Sequence, residues 1–212
     1  MKFNYFNWTP ILLPFVAGLI KFKRFSKSLK ILFLFVCFGT INEIFARSLI
    51  LAINLNNSMP ISHIYGFISF GLLFGFYFVL LKEFLNAKVL FFVSSSFLVY
   101  WIVNSLFFQS VYVLPALPRA LGNLCIIVLA IIYFYKLMLE AKIVKLADEP
   151  LVWINTAILI YYTGNLFFFI LFNLILEYSR EFSKVTVYYF SGLNALFYIL
   201  IAVGFLKVKK KS

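Results

Sequence analysis

Glu43 and Arg47 stand four residues apart in an otherwise apolar stretch, 29–53, that is long enough to cross a bilayer. A charge near the centre of such a segment costs about 3 kcal/mol on insertion scales, so these residues ordinarily face a bundle interior and mark function. An acid four residues before a base is also the favourable order for an ion pair along one helix face. Two roles are open to the pair: a site for an ion or ligand, or a lock that holds one conformation.

Other polar residues recur at helical spacing. Thr40, Glu43, Arg47 and Asn54 form one stripe, Tyr100 and Asn104 a second, and Arg119 and Asn123 a third. Asn155, Tyr162, Asn165 and Asn173 make a fourth, and Tyr188, Ser191, Asn194 and Tyr198 a fifth. Steps of three, four or seven keep each set on one face of a helix. Counted along their segments, Glu43, Tyr162, Asn165 and Asn194 fall near the midplane. Arg47, Asn104, Asn123 and Tyr188 fall in the outer half, and Arg119 and His63 near the outer rim. The expectation is a polar vestibule open to the outside and closed toward the cytoplasm. Its ligand-binding residues would be Glu43, Arg47, Asn104, Arg119, Asn123, Tyr162, Asn165, Tyr188 and Asn194. Two arginines at its mouth favour an anionic or carboxylate-bearing ligand. Each Asn or Tyr also has a plainer use, as hydrogen-bonding glue between helices. His63 reads as an interfacial residue rather than a ligand.

The elements that must position these residues follow from composition. The 212 residues are 64% hydrophobic and 12% charged, with mean hydropathy +1.02. A soluble domain would be about a quarter charged. The reading is therefore all-α: one integral membrane domain over 1–212, a bundle whose outer surface is lipid. The spans expected at about 20 residues each are 5–20, 29–53, 61–81, 89–108, 118–139, 150–176 and 185–206. The first is the weakest, being short and holding Pro10 and Pro14. Gly71 and Gly75, spaced by four in the third, predict a face of close helix approach.

The charges sort by side. One side collects Lys21, Lys23, Arg24, Lys27, Lys30, Lys82, Lys88, Lys136, Lys142, Lys145, Lys207, Lys209, Lys210 and Lys211. The other holds Lys2, Arg119, Arg180 and Lys184. Cytoplasmic loops carry the excess of Lys and Arg, which sets the N-terminus outside and the C-terminus in the cytoplasm. A net charge of +12 gathered in short membrane-flanking loops points to bilayer orientation, not to nucleic acid. The basic tail is placed against anionic lipid. The connector 136–149 reads as a helical extension of mixed charge. Cys37 and Cys125 read as packed thiols at different depths. Two separated cysteines and one histidine build no usual zinc set, and no cofactor is implied.

Several seven-helix classes are excluded by what they require. A rhodopsin needs a lysine at the centre of its last span, and here Lys184 and Lys207 lie only at the ends. The zinc hydrolases of the progestin-receptor and ceramidase type need several histidines. Lysoplasmalogenase-like enzymes use intramembrane acids from different helices, and only Glu43 is deep. No Pro-Gln dipeptide marks a PQ-loop transporter. An intramembrane hydrolase is disfavoured, since acid–base work normally needs two positioned titratable groups.

The segments Ile61-Ser-His-Ile-Tyr65, Pro150-Leu-Val-Trp-Ile154 and Tyr161-Tyr-Thr-Gly-Asn-Leu-Phe-Phe-Phe169, with the Lys-rich end after Val203-Gly-Phe-Leu206, carry a resemblance. The chain from Glu43 to its tail resembles uncharacterised small multi-span inner-membrane proteins of Bacteroidota, often encoded beside sensor histidine kinases. The resemblance implies an inner-membrane location and a signalling role, and supplies no catalytic or ligand residues. The functional expectation is a seven-helix sensor or signalling accessory module, with a sensor kinase as the kind of membrane partner. The alternatives are a small transporter using the same polar core and a structural subunit of a membrane complex.

Overall fold

The computed structural model describes residues 9–53, 59–140, 145–178 and 180–209, with the side chains of 9, 46–47, 49–53 and 170–187 outside the description. Asn54 and Ser212 fall outside the described residues, and so do the side chains of Arg47 and Asn173.

The described residues form seven α-helices: α1 (Thr9–Lys21), α2 (Lys27–Ile53), α3 (Met59–Leu81), α4 (Ala87–Val103), α5 (Ala116–Glu140), α6 (Pro150–Tyr178) and α7 (Arg180–Leu206). Their starts have local causes. Pro150 opens α6, and Pro118 falls in the first turn of α5, where a missing N–H leaves no bond unmade. Asn86 caps α4, its side-chain oxygen accepting from the Lys88 N–H at 3.0 Å. Among the described residues, six helices are long and apolar enough to cross a membrane, the mark of a multi-pass membrane protein. Their exposed surfaces agree. Phe91, Phe92, Phe107, Phe108 and Met138 all stand open, as side chains facing lipid do.

Of the first expected segment, 5–20, residues 9–20 are described and lie in α1, which is not among the six. Pro14 lies inside it and removes one of its backbone bonds.

The chain divides into two compact units. One comprises residues 26–122, with α2 packed on α3 and α3 on α4. Leu32 and Val36 of α2 and Leu73, Phe76, Tyr77 and Leu81 of α3 are fully buried in its core. The other comprises residues 1–25 and 123–212, with α7 packed on both α1 and α6. Its buried side chains include Ile154 and Ile158 of α6 and Phe197, Ile201 and Phe205 of α7. Lipid tails are as apolar as leucine, so such bundles depend on close packing and interhelical hydrogen bonds more than on burial from water. One such bond joins α6 to α5, from Asn155 Nδ2 to the Ala130 carbonyl at 2.9 Å.

Glycine lets helices approach, but at other positions than Gly71 and Gly75. A Cβ on Gly71 meets nothing within 4 Å, and one on Gly75 makes ordinary contact with Ile31 at 3.6 Å. A Cβ on Gly66 would strike the Trp101 ring of α4 at 2.6 Å, and one on Gly122 the Phe70 ring at 2.6 Å. Spacing identified a plausible stripe. Which glycine meets a ring depends on the rotation of each helix, which spacing leaves open.

Candidate functional site

The richest polar cluster lies in the unit 26–122, where α3 begins, α4 ends and α5 begins. It is built around a local irregularity. After Val103 the α4 ladder widens into a π turn over Asn104–Phe108. There the Gln109 N–H donates to the Asn104 carbonyl, five residues back, at 2.8 Å. A regular α turn would have sent that bond to Ser105. Such single wide turns occur often at functional sites, because the extra residue re-aims the side chains around it.

His63 is the centre of the cluster and is only 5% exposed. Its Nε2 lies 2.9 Å from the Val113 carbonyl, and its Nδ1 lies 3.0 Å from Ser105 Oγ. A carbonyl oxygen accepts and never donates, so Nε2 must carry a hydrogen. In the neutral ring Nδ1 is then the acceptor, and Ser105 donates to it. One ring thus ties α3 to the π turn and to the 109–115 loop. The loop is held a second time: Asn104 Nδ2 donates to Gln109 Oε1 at 3.1 Å, and Gln109 Nε2 to the Leu114 carbonyl at 2.8 Å. Arg119, on the first turn of α5, donates from Nη2 to the Ser62 carbonyl at 3.0 Å and to the Ser62 hydroxyl. Arg119 and His63 therefore engage consecutive positions of α3 and its surroundings. One turn beyond Arg119, the Asn123 side-chain nitrogen is buried without a partner among the described residues.

The expected ligand residues distribute over both units. Glu43, Arg47, Asn104 and Arg119 belong to the unit 26–122, and Asn123, Tyr162, Asn165, Tyr188 and Asn194 to the other. The structure brings Asn104 and Arg119 into the cluster just described. Glu43 is half-buried at the middle of α2, and the side chain of Arg47 lies outside the described residues. Thr40, one turn before Glu43, satisfies its hydroxyl on the Val36 carbonyl of its own helix at 2.9 Å. Buried Asn165 does the same, donating to the Tyr161 carbonyl at 2.9 Å. Tyr162 is buried in an aromatic group, edge-on to Tyr161 and Phe197. Asn194 is half-buried, and Tyr188 is 70% exposed.

His63, expected only as an interfacial residue, bridges α3 to the π turn and the loop after it. Ser62, Ser105 and Gln109 join the cluster without any sequence signal beyond ordinary polarity. Periodicity counts residues on straight helices and is blind to a widened turn and to a loop carbonyl. Among the described residues, no three of His, Cys, Asp and Glu gather as a metal set, and both cysteines are free. No family model, curated protein or solved structure matches the chain.

Proposed function

We propose that the chain is a multi-pass sensor or signalling accessory module of the inner membrane, with its N-terminus outside and its C-terminus in the cytoplasm. The cluster around His63 and Arg119 then lies at the outer face and takes a small anionic ligand. The charge asymmetry of the loops supports this orientation.

One observation carries the ligand class: the Arg119 guanidinium, at the head of an apolar span, donates to both the carbonyl and the hydroxyl oxygen of Ser62. A carboxylate or phosphate would add opposite charge and a two-pronged fit to the guanidinium, which the neutral oxygens of Ser62 do not supply. An anion arriving there would compete with Ser62 for the same donors. Releasing Ser62 would free the start of α3 from α5, with His63 next in the chain. The cluster is thus a set of exchangeable bonds joining three helices at one end, the kind of element whose two arrangements a ligand can bias. A helix shift begun there would reach the cytoplasmic loops, where a membrane partner such as a sensor kinase would read it.

The test is thermal stability of the purified full chain in detergent across a panel of probes: acetate, succinate, citrate and inorganic phosphate. A probe at a hundredfold its Kd stabilises by about 2.7 kcal/mol. At least one should raise the midpoint of the wild type and leave Arg119→Gln unmoved. Equal responses of both proteins to every probe would remove Arg119 from ligand binding.

A further inference from the structure

We propose that Ser105 is an acyl-accepting nucleophile, with His63 as its general base, acting on a lipid ester at the level where the α4 span ends. This goes beyond ligand binding and does not rest on Arg119.

The arrangement has the three parts that activate a serine. The nucleophile and the base lie within hydrogen-bond reach, Oγ to Nδ1 at 3.0 Å. The base is oriented by a third group, here the Val113 carbonyl in place of a carboxylate, at 2.9 Å from Nε2. That carbonyl holds the proton on Nε2 and aims the Nδ1 lone pair at Ser105. It fixes the tautomer as an acid would, without placing a negative charge in the apolar end of the bundle. The π turn supplies the aim. His63 is buried, whereas Ser105 is half-buried, so the base is screened and the nucleophile has an approach.

Position points to the substrate class. Ser105 is three residues from the end of the apolar stretch Ala87–Phe108. Phe107 and Phe108, which close that stretch, are 77% and 81% exposed. The end of a span lies at the boundary between hydrocarbon and headgroups, where the ester carbonyls of bilayer lipids are found. An acyl chain running past Phe107 and Phe108 would bring its ester to the height of Ser105.

The chemistry balances with water as the second substrate. Ser105 Oγ bonds to the ester carbonyl carbon while its proton passes to His63 Nδ1. The ester C–O bond then breaks, and the leaving alcohol takes that proton. Water attacks the acyl-serine, gives a proton to Nδ1, and the fatty acid leaves as Ser105 recovers its hydrogen. The Val113 carbonyl accepts from Nε2–H throughout and steadies the imidazolium formed in each half.

The full chain, reconstituted in phosphatidylcholine nanodiscs, would be treated with an alkyl fluorophosphonate and digested for peptide mass mapping. The reagent loses fluoride as its phosphorus bonds to an activated serine, so wild type alone decides the question. The expected adduct is on Ser105, absent in Ser105→Ala and formed at least a hundredfold more slowly in His63→Gln. Two results would overturn the proposal. One is an unlabelled wild type under conditions that label a control serine hydrolase in the same nanodiscs. The other is an adduct on other residues alone. Labelling of Ser105 with an Arg119-independent anion response, or the reverse, separates this proposal from the ligand reading.

Discussion

Both compact units pack aromatic rings, and they differ in how densely side-chain hydrogen bonds cross between elements at one end. In the unit 1–25 with 123–212, rings do much of the work. Tyr161 stacks on Phe197 at 4.3 Å, and Phe25 lies 4.8 Å from Phe205. Its buried Asn155 makes one bond across to α5, and its buried Asn165 bonds back to its own helix. In the unit 26–122, one end is joined by side-chain bonds that cross between elements: His63 to Ser105 and Val113, and Arg119 to Ser62. Ring packing has preferred geometries but leaves no donor or acceptor unmade when it shifts. A polar network is directional, costly to leave half-made, and able to exist in two arrangements. The comparison shows where to look for function in a bundle whose helices are all apolar: at polar bonds that join elements, not at polar residues as such.

Substitutions sharpen that contrast, beginning with a steric one. Gly66→Ala should cost about 1–3 kcal/mol, because the new Cβ would meet the Trp101 ring at 2.6 Å and α3 or the ring must shift. Gly71→Ala should be neutral or stabilise by up to about 1 kcal/mol, since nothing lies within 4 Å and alanine favours helix. Midpoints of thermal unfolding in detergent measure both, and equal losses would mean that Gly71 also meets a neighbour.

The next contrast isolates bridging bonds. His63→Ala leaves the Val113 carbonyl and the Ser105 hydroxyl without their partner, at a cost of about 1–3 kcal/mol. Asn165→Leu removes a bond within α6 whose acceptor carbonyl retains its helical N–H donor, and should cost under about 1 kcal/mol. The same unfolding assay decides. A larger loss at Asn165 would reverse the ranking of the two units.

The smallest effect is expected at the basic end of the aromatic-packed unit. Lys207 lies 3.9 Å from Asp148 and over the Trp153 ring at 5.6 Å, and Trp153 in turn donates to the Ala147 carbonyl. Both lysine contacts are partly exposed, so Lys207→Ala should cost no more than about 1 kcal/mol.

Much of the fold was legible in the sequence because lipid imposes so simple a rule. A run of about 20 apolar residues becomes a helix that satisfies its own backbone, and six of the seven expected segments match long apolar helices within a few residues. The seventh, 5–20, reads as weak from its two prolines, and its described part, residues 9–20, is helical with Pro14 inside. The site was legible in part. Asn104 and Arg119 carried a signal because polar residues are rare in apolar runs. Ser105 carried none, because its role depends on a π turn one residue wider than the periodicity assumes. The acceptor at Val113 is a backbone carbonyl, which every residue possesses. The glycine stripe at 71 and 75 was read from spacing alone, and the ring contacts at Gly66 and Gly122 required the rotation of the helices.

The central claim is that the bonds around Arg119 and His63 form an element that an anion can rearrange. Amide hydrogen exchange across residues 104–119, measured on the full chain in nanodiscs with and without the carboxylate and phosphate probes, tests it most directly. The account predicts that at least one probe changes exchange in this segment by severalfold in wild type and leaves Arg119→Gln unchanged. Exchange that no probe alters, or that changes equally in Arg119→Gln, would contradict it.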